Sequence, residues 1–136
     1  MKSDEIAQIV RKYLGVPYCH GGRDLTGLDC LGLVHLFYKD CNIQFPDGDG
    51  QFYSENWVYE DPERYLRGIK RYGREAPVSD IQPLDLVYFR LGRFISHSGV
   101  MIYPGYFIHV LQKSEVCVSP LNKVWIRRLV GVRRFL

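Results

Sequence analysis

Cys30 is the residue of this sequence whose type and setting fit nucleophilic chemistry. A cysteine attacks as the thiolate, and a helix amino terminus or a nearby imidazolium can lower its pKa from about 8.5 to roughly 3.5–7.5. Asp29 precedes Cys30 as a possible helix cap, and Gly27 and Gly32 flank it. The sequence therefore predicts a thiol in a first helical turn with room for a substrate beside it. The alternative is a small buried side chain on the inner face of a helix.

His97 and His109 could supply the base that a thiol nucleophile needs. They fall in two successive predicted strands, which Tyr103, Pro104 and Gly105 would join. If these three residues form the loop, the imidazoles are diagonal neighbours on one face of the hairpin, whereas a two-residue loop places them on opposite faces. Gly105 is the loop residue expected to take a positive φ. Taken singly, each histidine also fits a structural role in a strand.

Two helices in the first third of the chain would position the cysteine. Residues 3–14 carry apolar side chains at helical spacing, with Ser3 as a possible cap and Gly15 as the stop. A loop with Pro and Gly residues follows, and a second apolar stripe runs over residues 30–41. This second stripe places Cys30 at the start of an amphipathic helix.

The rest of the chain predicts a loop, a short helix and a sheet. Residues 44–54 have loop composition, and a short helix is predicted within 61–73, with Asp61 as its cap, Pro62 as its first residue and Gly73 as its stop. Period-two patterns after that predict four or five antiparallel strands, in LDLVYFR, HSGVMIY, YFIHVLQ, EVCVS and LVGVRRF. Helices first and strands second predict an α+β fold.

Composition limits the class of protein. A chain of 136 residues with 46% hydrophobic and 24% charged residues predicts a single globular domain over residues 1–136. No membrane span or secretion signal is recognisable, which predicts cytoplasmic synthesis, and the spacing of the four cysteines predicts free thiols. The basic excess lies in LNKVWIRRLVGVRRFL, whose alternating pattern predicts a solvated strand face rather than a nucleic-acid site.

The segment around Cys30 resembles a known family. LGVPYCHGGRDLTGLDCLGLVHLFY is similar to the nucleophile region of NlpC-type papain-like cysteine peptidases, with Pro-Tyr-x-x-Gly-Gly followed by Asp-Cys-x-Gly-Leu-Val. Downstream, QPLDLVYF, SHSGVMIY and YFIHV resemble in order the family's Pro-Gly-Asp-Leu strand, the strand of the catalytic histidine and the strand of the third polar residue. The resemblance covers about residues 5–118.

The resemblance implies a fold and a set of roles. The fold is a papain-like core, with a cysteine-bearing helix packed on an antiparallel sheet of about five strands. Cys30 would be the nucleophile, His97 the general base and acid, and His109 the group that orients His97. Tyr18 and Asp29 would lie at the substrate site, with no cofactor and no metal. The implied substrates are bacterial cell-wall stem peptides, usually cut between D-glutamate and a diamino acid.

Several residues depart from the family pattern. Cys19 and His20 follow the motif tyrosine, Leu31 replaces the serine after the cysteine, and Leu84 replaces the glycine of Pro-Gly-Asp. These changes affect the expected pocket shape rather than the triad. The long middle segment and the missing signal are most similar to phage tail-associated members, so phage tail proteins are expected as partners.

Three alternatives remain open from the sequence. The first is a phage-tail structural component that retains the fold with little catalysis, and the second is an acyltransferase or amidase using the same thiol. The third is a metal site formed by Cys19, His20 and Cys30. Of the other polar residues, His35 is expected at the surface and Asp85 is expected to bind backbone donors of a nearby loop.

Overall fold

The computed structural model describes all residues, 1–136. Two sheets and five helices make up the fold, with a small two-stranded hairpin beside a six-stranded antiparallel sheet. In chain order the elements are α1 Ser3–Tyr13, β1 Arg23–Asp24, β2 Gly27–Leu28, α2 Cys30–Asp40, α3 Trp57–Glu60, α4 Arg64–Ile69, β3 Arg74–Ala76, β4 Leu86–Leu91, β5 Phe94–Tyr103, β6 Tyr106–His109, β7 Cys117–Pro120, α5 Lys123–Arg128 and β8 Leu129–Arg134. The strand order in the large sheet is β3-β8-β4-β5-β6-β7. The predicted α+β fold is confirmed, with six strands in the main sheet where about five were expected.

The large sheet is covered on both faces, by two separate cores. On one face, side chains of β4, β5 and β6 pack with α1, α2 and α4 in a cluster of 22 buried residues. The other face carries a smaller cluster of 7 residues, which includes Trp125 of α5. Successive side chains of a strand point to opposite faces, so neighbouring residues of β5 belong to different cores.

The two predicted helices that flank the nucleophile loop are confirmed. α1 ends at Tyr13, and Gly15 takes φ +84, the conformation that suits a glycine stop. Lys2 is the N-cap residue, without a side-chain hydrogen bond, so the expected Ser3 cap is wrong. The helix predicted within 61–73 is shorter than expected, since it starts at Arg64.

The basic carboxy-terminal segment is not one strand. Residues Lys123–Arg128 form α5, capped by the Asn122 side chain, and the strand begins only at Leu129. Arg133 is buried and donates to the carbonyls of Tyr72 and Gly73. The predicted strand is therefore wrong for residues 123–128, although Lys123, Arg127 and Arg128 are exposed as a solvated face requires. The predicted exposure is wrong at Arg133.

Two polar residues outside the site have structural contacts. Asp85 accepts from the Gln82 amide at 2.8 Å, as expected, and also pairs with Arg134. His35 is half-buried, with Nδ1 3.1 Å from the Phe45 carbonyl oxygen, so it is not the surface residue that was expected.

Leu84 occupies the position where the family pattern has glycine, and it takes φ +72. A branched side chain is strained in this left-handed region. The Leu84 side chain is buried in the larger core. Burial of an apolar side chain offsets the backbone cost, which explains how the sequence accommodates the departure.

The β5–β6 hairpin has a two-residue loop. Tyr103 pairs with Tyr106, so only Pro104 and Gly105 lie between the strands. Gly105 takes φ +84, as expected. The expectation of a three-residue loop is wrong.

A β-bulge in the same hairpin restores the predicted register. Met101 pairs with Phe107, which leaves Ile102 as an extra residue before the loop. The extra residue offsets the shorter loop, and the imidazoles of His97 and His109 meet on one face of the sheet. The predicted neighbourhood is confirmed, although by a different local geometry.

None of the five helices combines the length and the apolar character that a membrane-spanning segment requires.

Candidate active site

Asp29 fixes the first turn of α2, and it caps the helix as the sequence predicts. Its carboxylate accepts a hydrogen bond from the Gly32 amide at 2.8 Å. The carboxylate also accepts from the Gly21 amide at 2.8 Å, from the Arg23 guanidinium at 2.9 Å and from the Tyr53 hydroxyl. These donors satisfy a buried charge and tie the nucleophile loop to the helix start.

The Cys30 sulfur is half-buried and bonds to two groups that are not histidines. Sγ lies 3.5 Å from the Tyr65 hydroxyl oxygen and 3.8 Å from the carbonyl oxygen of Ser96. Burial raises the pKa of the thiol to about 11, opposed by the Tyr65 hydrogen bond and reinforced by the charge of Asp29. No direct hydrogen bond joins Cys30 to His97.

The two histidines are bonded to each other. His97 Nε2 lies 2.9 Å from His109 Nδ1, and His109 Nε2 lies 2.7 Å from the hydroxyl oxygen of Ser119. His97 Nδ1 makes no hydrogen bond within the protein, yet it is not closed off from solvent. Two arrangements of protons satisfy these contacts, one for each direction of the chain. In the arrangement that leaves a base at the site, His97 Nε2–H donates to His109 Nδ1, and His109 Nε2–H donates to Ser119. His97 Nδ1 is then free to accept a proton.

Aromatic rings enclose both imidazoles. The His97 ring packs against Phe89, at 5.8 Å between centroids, and against Trp125, at 5.6 Å. Trp125 also meets the His109 ring edge to face, at 4.9 Å and 86°. Burial lowers the pKa of His97 to about 3, with His109 and Arg128 adding to the effect, and burial lowers the pKa of His109 to about 4. Both imidazoles are therefore neutral near pH 7.

Cys30 and His97 face one groove of about 370 Å³. The other residues around it come from the nucleophile loop, the start of α2, the segment from residue 53 through α4, the ends of β4 and β5 at their turn, and the residues after β6. They are Tyr18, His20, Asp29, Leu31, Tyr53, Trp57, Val58, Tyr65, Leu91, Phe94, Ser96, Val110, Leu111 and Gln112. Most of them are apolar or aromatic. The groove is therefore suited to a peptide-like chain with few formal charges, entering between the thiol and the imidazole.

Tyr18 lies in this groove, where its position in the motif predicts it. Its amide donates to the Ser114 carbonyl at 2.9 Å, which fixes the residue against the segment after β6. Burial, with the negative charge of an ionised Cys30 next in size, raises the pKa of Tyr18 to about 12. Its hydroxyl stays protonated at neutral pH and can donate a hydrogen bond to a bound substrate.

The glycines beside Cys30 do not open space for a substrate. A Cβ atom at Gly27 would lie 2.5 Å from the Cβ of Cys19, and one at Gly32 would lie 2.2 Å from the Gly22 carbonyl oxygen. Both glycines allow the loop and the helix start to pack closely, so the expectation drawn from them is wrong.

Cys19, His20 and Cys30 do not form the alternative metal site. Cys19 is exposed, and His20 Nε2 lies 2.9 Å from the Tyr53 carbonyl oxygen. Nowhere in the chain do three His, Cys, Asp or Glu side chains come together in a cluster able to hold a metal ion.

Four residues of the site were not predicted from the sequence. Tyr65 contacts the sulfur, Ser119 continues the histidine chain, Trp125 covers both imidazoles, and Tyr53 bonds to Asp29. Ser119 could have been found from the alternation of its strand, since it lies diagonally across from His109 in β7. The other three reach the site through long-range folding and leave no local pattern.

Comparisons with known proteins show what the chain is similar to. The model of the NlpC/P60 family matches residues 15–134. The gamma-DL-glutamyl hydrolase of Bacillus subtilis is 31% identical over 137 residues, which cover 96% of this chain and 29% of that protein. The murein DD-endopeptidase MepS/murein LD-carboxypeptidase of Escherichia coli K12 is 30% identical over 124 residues, which cover 90% of this chain and 57% of that protein.

Solved structures share the fold. An NlpC/P60 family protein from Bacillus cereus superposes with a TM-score of 0.75 at 26% identity, over 100% of this chain and 41% of that one. The NlpC/P60 domain of the peptidoglycan hydrolase SagA superposes with a TM-score of 0.67 at 20% identity, over 98% of this chain and 99% of that one.

These matches do not bear on where the protein acts, so cytoplasmic synthesis and a phage-tail association stay predictions. The family model matches from the nucleophile loop through the last strand of the sheet. The chain therefore belongs to the NlpC/P60 family.

Proposed function

We propose that this chain is a cysteine peptidase that hydrolyses an amide bond of bacterial peptidoglycan stem peptides, with Cys30 as nucleophile, His97 as general base and His109 as orienting group. The observation that carries the proposal is the shared groove: Cys30 and His97 line it together, and His97 Nε2 is bonded to His109, which leaves Nδ1 unbonded. This is the arrangement of nucleophile, base and orienting group that thiol hydrolysis requires.

The chemistry starts from neutral groups. The thiol transfers its proton to Nδ1 of His97, and the thiolate forms a bond to the scissile carbonyl carbon. The imidazolium returns the proton to the leaving amine as the carbon–nitrogen bond breaks, which leaves a thioester. His97 then removes a proton from water, whose oxygen attacks the thioester, and the proton returns to the sulfur as the acid departs.

The tetrahedral intermediates carry a negative oxygen that needs donors. The backbone N–H of Cys30 lies in the first turn of α2 and has no intrahelical acceptor. The protonated Tyr18 hydroxyl lies on the same groove and is the second proposed donor. Both donors belong to the nucleophile loop and helix start that Asp29 ties together.

The substrate class rests on the relatives and on the groove. The two relatives are named for hydrolysis of gamma-DL-glutamyl bonds and for murein endopeptidase and carboxypeptidase activity. We propose the bond between D-glutamate and the following diamino acid as the site of cleavage. The scissile amide itself is uncharged, and its carbonyl can accept a hydrogen bond from the Tyr18 hydroxyl in the groove.

Digestion of purified peptidoglycan tests the function. Wild-type protein should release soluble fragments whose masses identify the cleaved bond. Cys30→Ala should release none, a loss of at least about 10³-fold, because no other group at the site can form the acyl intermediate. Cys41→Ala removes a thiol that is buried near the other end of α2 and should keep wild-type turnover.

Three results would overturn the proposal. The first is fragment release by Cys30→Ala at the wild-type rate, and the second is no release by folded wild-type protein from any peptidoglycan type. The third is sugar-chain cleavage instead of peptide cleavage, since the fragment masses distinguish the two bonds.

A further inference from the structure

We propose that Tyr65, backed by Ser98, is the hydrogen-bond donor that stabilises the Cys30 thiolate, and that the middle segment, residues 42–73, supplies this part of the active site. The inference rests on the proposed function, because it assigns a role within the same thiol chemistry. Nothing in the sequence motifs around Cys30, His97 or His109 points to either residue.

The geometry forms a short chain of hydroxyls that ends at the sulfur. The Tyr65 hydroxyl lies 3.5 Å from Cys30 Sγ, within hydrogen-bonding range for sulfur, and it is also bonded to the Ser98 hydroxyl. Tyr65 is 5% exposed and Ser98 is 1% exposed. Two hydroxyl groups buried together need partners, and the sulfur completes the chain.

The direction of the chain follows from the donors available. In the thiol form, S–H donates to the Ser96 carbonyl. Ser98 O–H can then donate to the Tyr65 oxygen, and Tyr65 O–H to the sulfur. When the thiol proton leaves for His97, both hydroxyls keep their protons and their directions. The only change is that the Tyr65 donor now faces an anion, and such charge-assisted hydrogen bonds are about twice as strong as neutral ones.

The electrostatics agree with this direction. Among the influences on the Cys30 pKa, the hydrogen bond from Tyr65 is the largest that lowers it, against burial and the charge of Asp29. Burial raises the pKa of Tyr65 itself well above its ordinary value, so the phenol remains a donor throughout the pH range of activity.

Packing holds the donor in place. Tyr65 lies on α4, and its ring stacks on Trp57 of α3, with 5.8 Å between centroids and 21° between planes. The same middle segment bonds to Asp29 through the Tyr53 hydroxyl. The segment therefore contacts both Cys30 and Asp29, the cap of its helix. Tyr65 and Asp29 both affect the pKa of the Cys30 thiol.

The test measures the pH dependence of Cys30 alkylation by iodoacetamide, which requires no turnover. Trypsin cuts after Lys and Arg, which places each of the four cysteines in a separate peptide, so mass spectrometry follows Cys30 alone. Tyr65→Phe should raise the thiol pKa by about one unit above its value of about 11, which makes alkylation about tenfold slower at pH 8 but only about fivefold slower at pH 11. Ser98→Ala should slow it about threefold at pH 8, and it should add nothing in the Tyr65→Phe background.

Tyr13→Phe is the matched control. It removes another buried phenol, one whose hydroxyl bonds to Asp40 at 2.6 Å, and the alkylation profile of Cys30 should stay as in the wild type.

Two results would overturn the inference: an unchanged profile in Tyr65→Phe, or equal slowing at every pH, which marks a purely structural role. If Tyr65→Phe does not fold, by circular dichroism, the Ser98→Ala profile decides in its place. Peptidoglycan digestion by the wild type is a separate assay, so failure of the proposed function leaves the alkylation result intact and the two failures are distinguishable.

Discussion

The thiol half and the histidine half of the site lie against opposite faces of one sheet. Cys30 sits at the margin of the larger core, half-exposed, with a hydroxyl and a carbonyl as neighbours. His97 and His109 are 2% and 1% exposed and lie against the aromatic side chains of the smaller core. The thiol therefore has few neighbours that fix its orientation, whereas the imidazoles have many.

This difference in enclosure separates the roles of the thiol and of the imidazoles. Burial acts on both halves and pushes each toward its neutral form, with a pKa of about 11 for Cys30 and about 3 for His97. The enclosed half is rigid and holds the base in one orientation. The thiol half changes state, because the sulfur loses and regains a proton while Tyr65 lies within hydrogen-bonding distance of it. The thiol therefore becomes reactive when it and the substrate align with a base that is already in place.

Removing the cover of the histidine half should have the largest effect. Trp125→Ala should lower the free energy of unfolding by about 3–5 kcal/mol, because an indole that contacts both imidazoles and Phe89 leaves a cavity. Urea unfolding followed by circular dichroism measures the change. Trp57→Ala, the matched change in the thiol half, should cost less, since Trp57 is half-exposed. Equal losses in the two variants would contradict the proposed difference in rigidity.

Loss of the orienting histidine should have an intermediate effect. His109→Ala should reduce turnover about 10–100-fold without abolishing it, because water can partly replace a group that orients but not one that attacks. His109→Gln should retain more activity, since its amide oxygen can still accept the hydrogen bond from His97. Fragment release from peptidoglycan measures turnover, and circular dichroism verifies the fold. Full activity in a folded His109→Ala protein would return His109 to a purely structural role.

Acid should destabilise the histidine half. The pKa values of His97 and His109 in the folded protein, about 3 and about 4, lie below the ordinary value of 6.5. The unfolded chain therefore binds more protons as the pH falls below 6.5, and the free energy of unfolding should decrease by up to about 1.4 kcal/mol per pH unit for each histidine. Urea titrations at pH 7, 6 and 5 measure the slope, and His97→Gln should flatten it. A slope that His97→Gln leaves unchanged would show that other groups cause the acid sensitivity.

The same argument has the opposite sign for the thiol. Because the pKa of Cys30 is raised, its contribution to stability is present at neutral pH and is lost as the pH rises from about 9 toward 11. Acid therefore weakens the histidine half and alkali weakens the thiol half.

The sequence by itself determined the local features of this protein. Asp29 before an apolar stripe predicted a capped helix with Cys30 at its first position, since capping uses only neighbours in the chain. Period-two alternation predicted all five of the long strands, and Gly105 predicted the positive φ of the hairpin. The family motif predicted the three residues now assigned to the proposed chemistry. Each of these features depends on residues a few positions apart.

Only the tertiary structure decided the state of the site. The contact of Tyr65 with Cys30 spans 35 positions, and the cover of His97 by Trp125 depends on a helix that the alternating pattern concealed. The bulge at Ile102 corrected a loop whose length the sequence could not fix. The protonation states also depend on the tertiary structure, because desolvation depends on everything that surrounds a group, whatever its distance along the chain. A sequence pattern predicts which atoms could react, whereas packing decides the protonation state from which they do so.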